Sequence, residues 1–191
     1  PRTAAPVMKR ALLPLLLAAP LHAEVREQLD YRHYDARLEA HASLRQALNS
    51  ASPIRLDGQT YHGFTRWQVE WRFWWREARD GRCRIERSST QLQASITLPR
   101  LHGGDAQQQQ RFARYLAALE EHELGHYRIG QAAAQAIDAA LLTLPEQADC
   151  KTLEQQANAR AHATLQRHIE REHRYDRDTG HGETQGAWLD D

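Results

Sequence analysis

Polar and apolar residues alternate along Tyr61–Arg76 with the period of two that is typical of a half-buried β-strand. Asp80 and Gly81 follow as a predicted two-residue turn, and a second strand is predicted from Arg82 to Leu98. The apolar residues of this second strand switch from odd-numbered to even-numbered positions along it. We therefore expect a β-bulge between Arg87 and Gln91. The pattern therefore predicts a long, twisted hairpin. The apolar and uncharged positions of its first strand are Thr65, Trp67, Val69, Trp71, Phe73 and Trp75.

Apolar residues at helical spacing follow the hairpin. Pro99–Asp105 is a predicted break with Asp105 as N-cap, and apolar residues recur at helical spacing from Ala106 to Leu144. Asp149 is placed to cap a second helix, which we expect to pack antiparallel to the first. The tail from Arg174 to Asp191 contains several glycines and is predicted to be non-helical. The stripe of the second helix is Leu153, Ala157, Ala161, Leu165 and Ile169.

Two weaker signals precede the hairpin: a strand over Leu29–Ala36 and a short helix over Ala40–Leu48. Together these elements predict one α+β domain, in which an antiparallel sheet built on the long hairpin packs against an antiparallel helix pair.

The N-terminal segment has the three parts of a secretory signal peptide. Lys9 and Arg10 precede the apolar run Ala11–Ala19, and Ala23 supplies a small residue before the predicted cleavage. The run is too short to span a membrane. We therefore expect residues 1–23 to be a signal peptide with upstream residues, and 24–191 to be a single domain in the periplasm or outside the cell.

The net charge and the cysteines indicate which partners and which cell compartment to expect. Lysine plus arginine and aspartate plus glutamate each total 25 in 191 residues, so the formal net charge is +0 and gives no reason to expect nucleic acid as a partner. The two cysteines, Cys83 and Cys150, predict a disulfide in an exported protein.

The long helix contains the sequence His122-Glu123-Leu124-Gly125-His126, which has the HExxH pattern. One helical turn separates the two imidazoles, so both can bind one Zn²⁺ while Glu123 takes a proton from water. His126 falls at the centre of the apolar stripe, where buried polar groups need a metal or a hydrogen-bond network. Gly125 is unfavourable in a helix interior and indicates a close neighbour.

Several segments together resemble the bacterial family described as predicted secreted zinc-dependent proteases, number 922 among the domains of unknown function. The resemblance covers nearly all of the predicted mature chain and implies an exported, zincin-like protein. The segments that carry it are Phe64-Thr65-Arg66-Trp67 with Val69 and Trp71, Cys83, Ile96-Thr97-Leu98-Pro99, His122–His126 with Ile129, Cys150, Tyr175-Asp176-Arg177-Asp178-Thr179-Gly180-His181-Gly182, and Gln185-Gly186-Ala187.

A catalytic zinc normally takes three side chains and a water, and HExxH supplies two of the side chains. The extended motif of some zinc proteases is absent, because Ala132 occupies the sixth position after His126. His181 is our preferred third ligand, since it lies in the terminal signature of the resemblance. Glu172 is the alternative, because it continues the stripe of the second helix. Asp176 is expected to hold an imidazole in place or to be a ligand itself.

These observations predict a secreted zinc metallopeptidase that hydrolyses a peptide or protein substrate, with Glu123 as general base. Two alternatives stay open. One is a non-catalytic envelope protein with a structural zinc, for which a fourth protein ligand would replace water. The other is a zinc amidase acting on cell-wall peptides, because HExxH does not separate these substrates.

Overall fold

The computed structural model describes residues 23–39 and 42–189, so the predicted signal peptide, apart from Ala23, lies outside the described residues. The described part is a mixed α+β fold in which a three-stranded sheet and a small hairpin pack against two long helices. Its elements are β1 (Ala23–Leu38), α1 (Leu44–Ala51), β2 (Ile54–Leu56), β3 (Gln59–Tyr61), β4 (Phe64–Glu77), β5 (Cys83–Gly103), α2 (Ala106–Leu142), α3 (Cys150–Thr179) and a 3₁₀ turn (Glu183–Gln185).

The three-stranded sheet has the order β1-β5-β4. The long hairpin is confirmed, because β4 and β5 pair antiparallel from Phe64 opposite Thr97 to Glu77 opposite Cys83. The prediction of an all-antiparallel sheet is wrong, since β1 pairs parallel with β5. A parallel neighbour needs a crossover connection, which here passes through α1, the β2–β3 hairpin and β4. The weak strand signal at Leu29–Ala36 lies inside β1.

The details of the long hairpin differ from the prediction at three places. The bulge lies at Glu86, just before the predicted range, because Trp74 and Trp75 pair with Arg87 and Ile85. The turn is a five-residue connection, 78–82, rather than two residues. The predicted break at Pro99 is wrong, since β5 continues to Gly103. β4 begins at Phe64, opposite Thr97, and does not extend to the level of Pro99, so the missing proline N–H removes no hydrogen bond to β4.

The two long helices begin where the sequence predicts. Asp105 caps α2 and Asp149 caps α3, each accepting a hydrogen bond from a backbone N–H of the first turn. The predicted non-helical tail is wrong over 174–179, because α3 runs to Thr179 and ends at Gly180 in the left-handed conformation. This extension places Glu172 and Asp176 one turn apart on the same helix.

Two hydrophobic clusters hold the helices on the inner face of the sheet. The first joins β4 and β5 to the C-terminal half of α2 and to α3, and the second joins β5 and α1 to the N-terminal half of α2. The HExxH segment lies between them along α2. Within the described ranges, no helix combines the length and apolarity needed to cross a membrane.

The predicted disulfide between Cys83 and Cys150 is confirmed, with the two Cα atoms 5.0 Å apart and 67 residues apart in sequence. It joins the start of β5 to the start of α3. The backbones of Cys83 and Gln147 also exchange two hydrogen bonds, of 3.0 and 2.8 Å. The N-terminal end of α3 is therefore tied to the sheet both covalently and by hydrogen bonds.

Replacing both cysteines by serine is expected to lower the free energy of unfolding by roughly 2–4 kcal/mol, because the unfolded chain loses a long closed loop. Urea denaturation of the double variant and of the oxidised protein measures the difference. Oxidised protein treated with a reductant is the control and should match the variant. Equal midpoints for the oxidised protein and the variant would contradict this role.

Candidate metal centre

α2 presents the HExxH side chains to the protein interior, as their helical position predicts. His122, Glu123 and His126 are 3%, 4% and 7% exposed. They lie beside the short stretch of β4 that begins at Phe64. Burying three ionisable groups costs free energy unless they have partners. The contacts of these side chains therefore indicate the chemistry of the site.

Two imidazoles and one carboxylate converge on one point. The Nε2 atoms of His122 and His126 are 3.3 Å apart. Oδ1 of Asp176 lies 3.3 Å from the first nitrogen and 3.0 Å from the second. The three residues thus form a group whose ligand atoms lie within 4.8 Å of one another. α2 supplies two of the atoms and the C-terminal part of α3 supplies the third.

The donor atoms fit a divalent metal ion. Two ring nitrogens that face each other at 3.3 Å repel through their lone pairs unless a proton or a cation lies between them. Two imidazoles with one carboxylate oxygen form a donor set that Zn²⁺ accepts readily. The group can therefore hold a metal.

The orientation of His122 is fixed by Gln185 and Tyr175. Oε1 of Gln185 lies 2.8 Å from Nδ1 of His122 and is placed to accept its proton, which leaves Nε2 as the lone-pair nitrogen. The Gln185 amide donates to the Tyr175 hydroxyl at 3.0 Å, and this hydroxyl donates to the backbone oxygen of His122 at 3.2 Å. The rings of Tyr175 and His122 are stacked with centroids 5.0 Å apart.

Glycines make this packing possible on both sides of His122. A methyl group at position 125 would overlap the Tyr175 hydroxyl, so Tyr175 is the close neighbour that Gly125 indicates. A Cβ at Gly182, whose φ is +91°, would lie 3.1 Å from Cγ of His122. The two glycines let α3 and the segment after it approach the imidazole closely.

His126 is bordered by carboxylates on both of its ring nitrogens. Glu172 Oε1 lies 3.2 Å from Nδ1, an ion-pair distance without the alignment of a hydrogen bond, and accepts a hydrogen bond from Trp67 Nε1 at 2.8 Å. Burial alone would lower the pKa of His126, but Asp176 and Glu172 outweigh it and raise this pKa to about 9. Glu172 thus contacts Nδ1 of His126, whereas Nε2 faces the converging group. A carboxylate in this position is suited to orienting the imidazole of a metal ligand.

The carboxyl group of Asp176 is held in its charged form. Its partial burial works against ionisation, but its contacts with the imidazoles of His122 and His126 outweigh this and lower its pKa. A carboxylate that stays ionised at neutral pH is available as a metal ligand.

Glu123 occupies a cradle next to the group. Its Oε2 accepts a hydrogen bond of 2.7 Å from the Thr65 hydroxyl, and a Cβ at Gly63 would lie 2.6 Å from its Oε1. Burial raises the pKa of Glu123, although Thr65 and the two histidines favour the charged form. A carboxylate with a raised pKa is suited to taking up and releasing a proton.

His181 lies at the border of the site. Its Nδ1 is 3.5 Å from Oδ1 of Asp176, its side chain is half exposed, and its ring contacts Tyr61. Its φ of 53° is unusual for a residue other than glycine and is a feature that clusters at functional sites. His181 contacts Asp176 and not the two histidine nitrogens, so its assignment as third ligand stays a prediction.

The group lines a cleft of about 880 Å³. The cleft walls come from α1, the β2–β3 hairpin, the start of β4 and the segment after α3. Glu123, Asp176 and His181 all line it. A ligand in the cleft can therefore reach the converging atoms and Glu123 together.

Three residues that organise the site were not assigned roles from the sequence: Thr65, Tyr175 and Gln185. Gly125 was a signal for Tyr175, since a glycine in a helix interior indicates close packing. Nothing local in the sequence indicates the contact of Gln185 with His122, because it depends on where the chain turns after Gly180.

The fold and the site together define a mixed α+β protein with an HExxH helix and a candidate metal centre completed by a second helix. The family described as "Bacterial protein of unknown function (DUF922)" matches residues 31–182. The chain belongs to this family, and the resemblance in its sequence is thereby confirmed. No curated protein and no solved structure was found to match the chain.

Replacing Gln185 by leucine is expected to weaken zinc binding by roughly 10–100-fold, because His122 loses the acceptor that holds its Nε2 toward Asp176. Competition with a chromogenic chelator measures the affinity. Gln185→Glu retains an acceptor oxygen at this position and serves as the control, with binding closer to the parent. An unchanged affinity in Gln185→Leu would show that the hydrogen bond does not orient the ligand.

Proposed function

We propose that this protein is a zinc-dependent metallopeptidase of the periplasm or the extracellular space. The observation that carries the proposal is the convergence of His122, His126 and Asp176 beside Glu123 in an open cleft. Any one of these features occurs in proteins without such activity. Their combination meets the needs of peptide hydrolysis: a metal site, a base and access for substrate.

His122, His126 and Asp176 are the proposed protein ligands. When bound there, zinc would polarise the carbonyl of the peptide bond and make water a better nucleophile at neutral pH. Glu123 is the proposed general base, which accepts a proton from the attacking water and then delivers it to the departing amine. Thr65 keeps the Glu123 carboxylate turned toward the cleft through its hydrogen bond at 2.7 Å.

The edge of the sheet supports a peptide substrate. β4 pairs with β5 on one side, and among the described residues no strand pairs with its other edge. Its first residues, Phe64–Trp67, line the cleft next to Glu123. An extended peptide can add to an exposed edge through backbone hydrogen bonds. Such pairing would place the peptide backbone alongside the candidate metal centre.

The cleft also favours a catalytic over a structural zinc. A structural site is closed by four protein ligands, whereas a catalytic site keeps one position for water or substrate. The converging group supplies three protein atoms and borders a cleft of about 880 Å³.

The disulfide supports a location outside the cytoplasm. Disulfides persist in oxidising compartments such as the periplasm. The bond between Cys83 and Cys150 therefore agrees with the signal peptide predicted for residues 1–23, and both support export.

Glu123→Gln is expected to keep about one zinc per chain and to lower peptide hydrolysis by roughly 10²–10⁴-fold, because the amide cannot act as a base. Digestion of a peptide library, followed by mass spectrometry, measures hydrolysis, and metal analysis measures zinc. Glu121→Gln is the matched control, since this exposed residue lies on the same helix and pairs with Arg128. Zinc-loaded parent protein that cleaves no peptide, or a Glu123→Gln variant as active as the parent, would contradict the proposal.

A further inference from the structure

Two of the large hydrophobic side chains that are exposed in the described residues lie in the cleft. They are Leu56, which is 42% exposed, and Trp188, which is 50% exposed. The others, Tyr31, Trp74 and Trp75, do not line it. Exposed apolar surface beside a candidate active site is a feature of binding surfaces.

The structure holds Trp188 in its exposed position. Its neighbours Ala187 and Leu189 are 9% and 5% exposed and pack into the second hydrophobic cluster. The guanidinium carbon of Arg45 lies 4.6 Å from the centroid of the Trp188 ring. The same guanidinium donates a hydrogen bond to the backbone oxygen of Leu189. The exposure of this indole is therefore built into the fold, and presenting it to a ligand requires little additional ordering.

Trp188 lies close to the candidate metal centre along the chain. Gln185 contacts His122 at 2.8 Å, and Trp188 follows three residues later. Three residues span at most about 10–11 Å, and each residue of an extended peptide advances about 3.3 Å. Allowing also for the lengths of the Gln185 and Trp188 side chains and the His122 ring, a substrate side chain on Trp188 belongs to a residue within a few positions of the bond at the metal centre.

We propose that Trp188 and Leu56 form an apolar recognition rim, which selects peptides with a large apolar side chain within a few residues of the bond that is cleaved. This inference rests on the proposed peptidase function. A large apolar side chain on this rim would remove exposed apolar surface of the indole, or of Leu56, from water, which favours binding. A small or charged side chain would gain little from the same contact.

The test measures binding separately from hydrolysis. Zinc-loaded Glu123→Gln protein is titrated with fluorescent octapeptides that differ at one position, phenylalanine or alanine, with this position moved along the peptide. At the best position we expect phenylalanine to bind at least roughly tenfold tighter than alanine. Adding Trp188→Ala should reduce this preference to less than about threefold, and Leu56→Ala should reduce it partly.

Trp74→Ala is the matched control, because Trp74 is also an exposed tryptophan, at 41%, and lies away from the cleft. It should leave the preference unchanged. Thermal unfolding of each variant checks that the fold is intact. A Trp188→Ala variant that keeps the full preference, or a Trp74→Ala variant that loses as much, would overturn the rim.

The outcome also separates this inference from the proposed function. If the parent protein hydrolyses peptides without any preference for apolar side chains, the rim is wrong and the peptidase stands. If the Glu123→Gln protein binds the phenylalanine peptide through Trp188 but the zinc-loaded parent cleaves nothing, the rim stands and the peptidase is wrong.

Discussion

The close packing of α3 against α2 at Gly125 is the contact on which the candidate metal centre depends. Only glycine leaves room there for the Tyr175 side chain, although it is a poor residue for a helix interior. Asp176 follows Tyr175 directly and reaches both imidazoles from this position. Without this approach, α2 would present two buried histidines and a glutamate without their carboxylate partner.

The same packing explains why the segment after α3 belongs to the site. The chain turns at Gly180 and Gly182, which brings Gln185 onto Nδ1 of His122. Ala187 and Leu189 then enter the second hydrophobic cluster, with Trp188 exposed between them. The segment after α3 thus orients His122, a candidate metal ligand, and also provides a wall of the cleft.

Features with a local cause could be predicted from the sequence. The strand period marked the long hairpin, aspartates marked the starts of α2 and α3, and HExxH on an apolar stripe marked the buried imidazoles. Features that depend on contacts between distant segments could not. The parallel pairing of β1 requires a crossover, and no local pattern defines its register. The true end of α3 depends on Tyr175 packing at Gly125 and on the Gly180 cap, so Asp176 was predicted to lie in a tail.

X-ray absorption spectroscopy of the zinc-loaded protein measures the ligand set of the candidate metal centre most directly. We expect two imidazole ligands from His122 and His126, together with oxygen donors at about 2.0–2.2 Å that include the Asp176 carboxylate. Three imidazoles would contradict this ligand set and indicate His181 as the third ligand. A protein that takes up no zinc would contradict the metal centre itself.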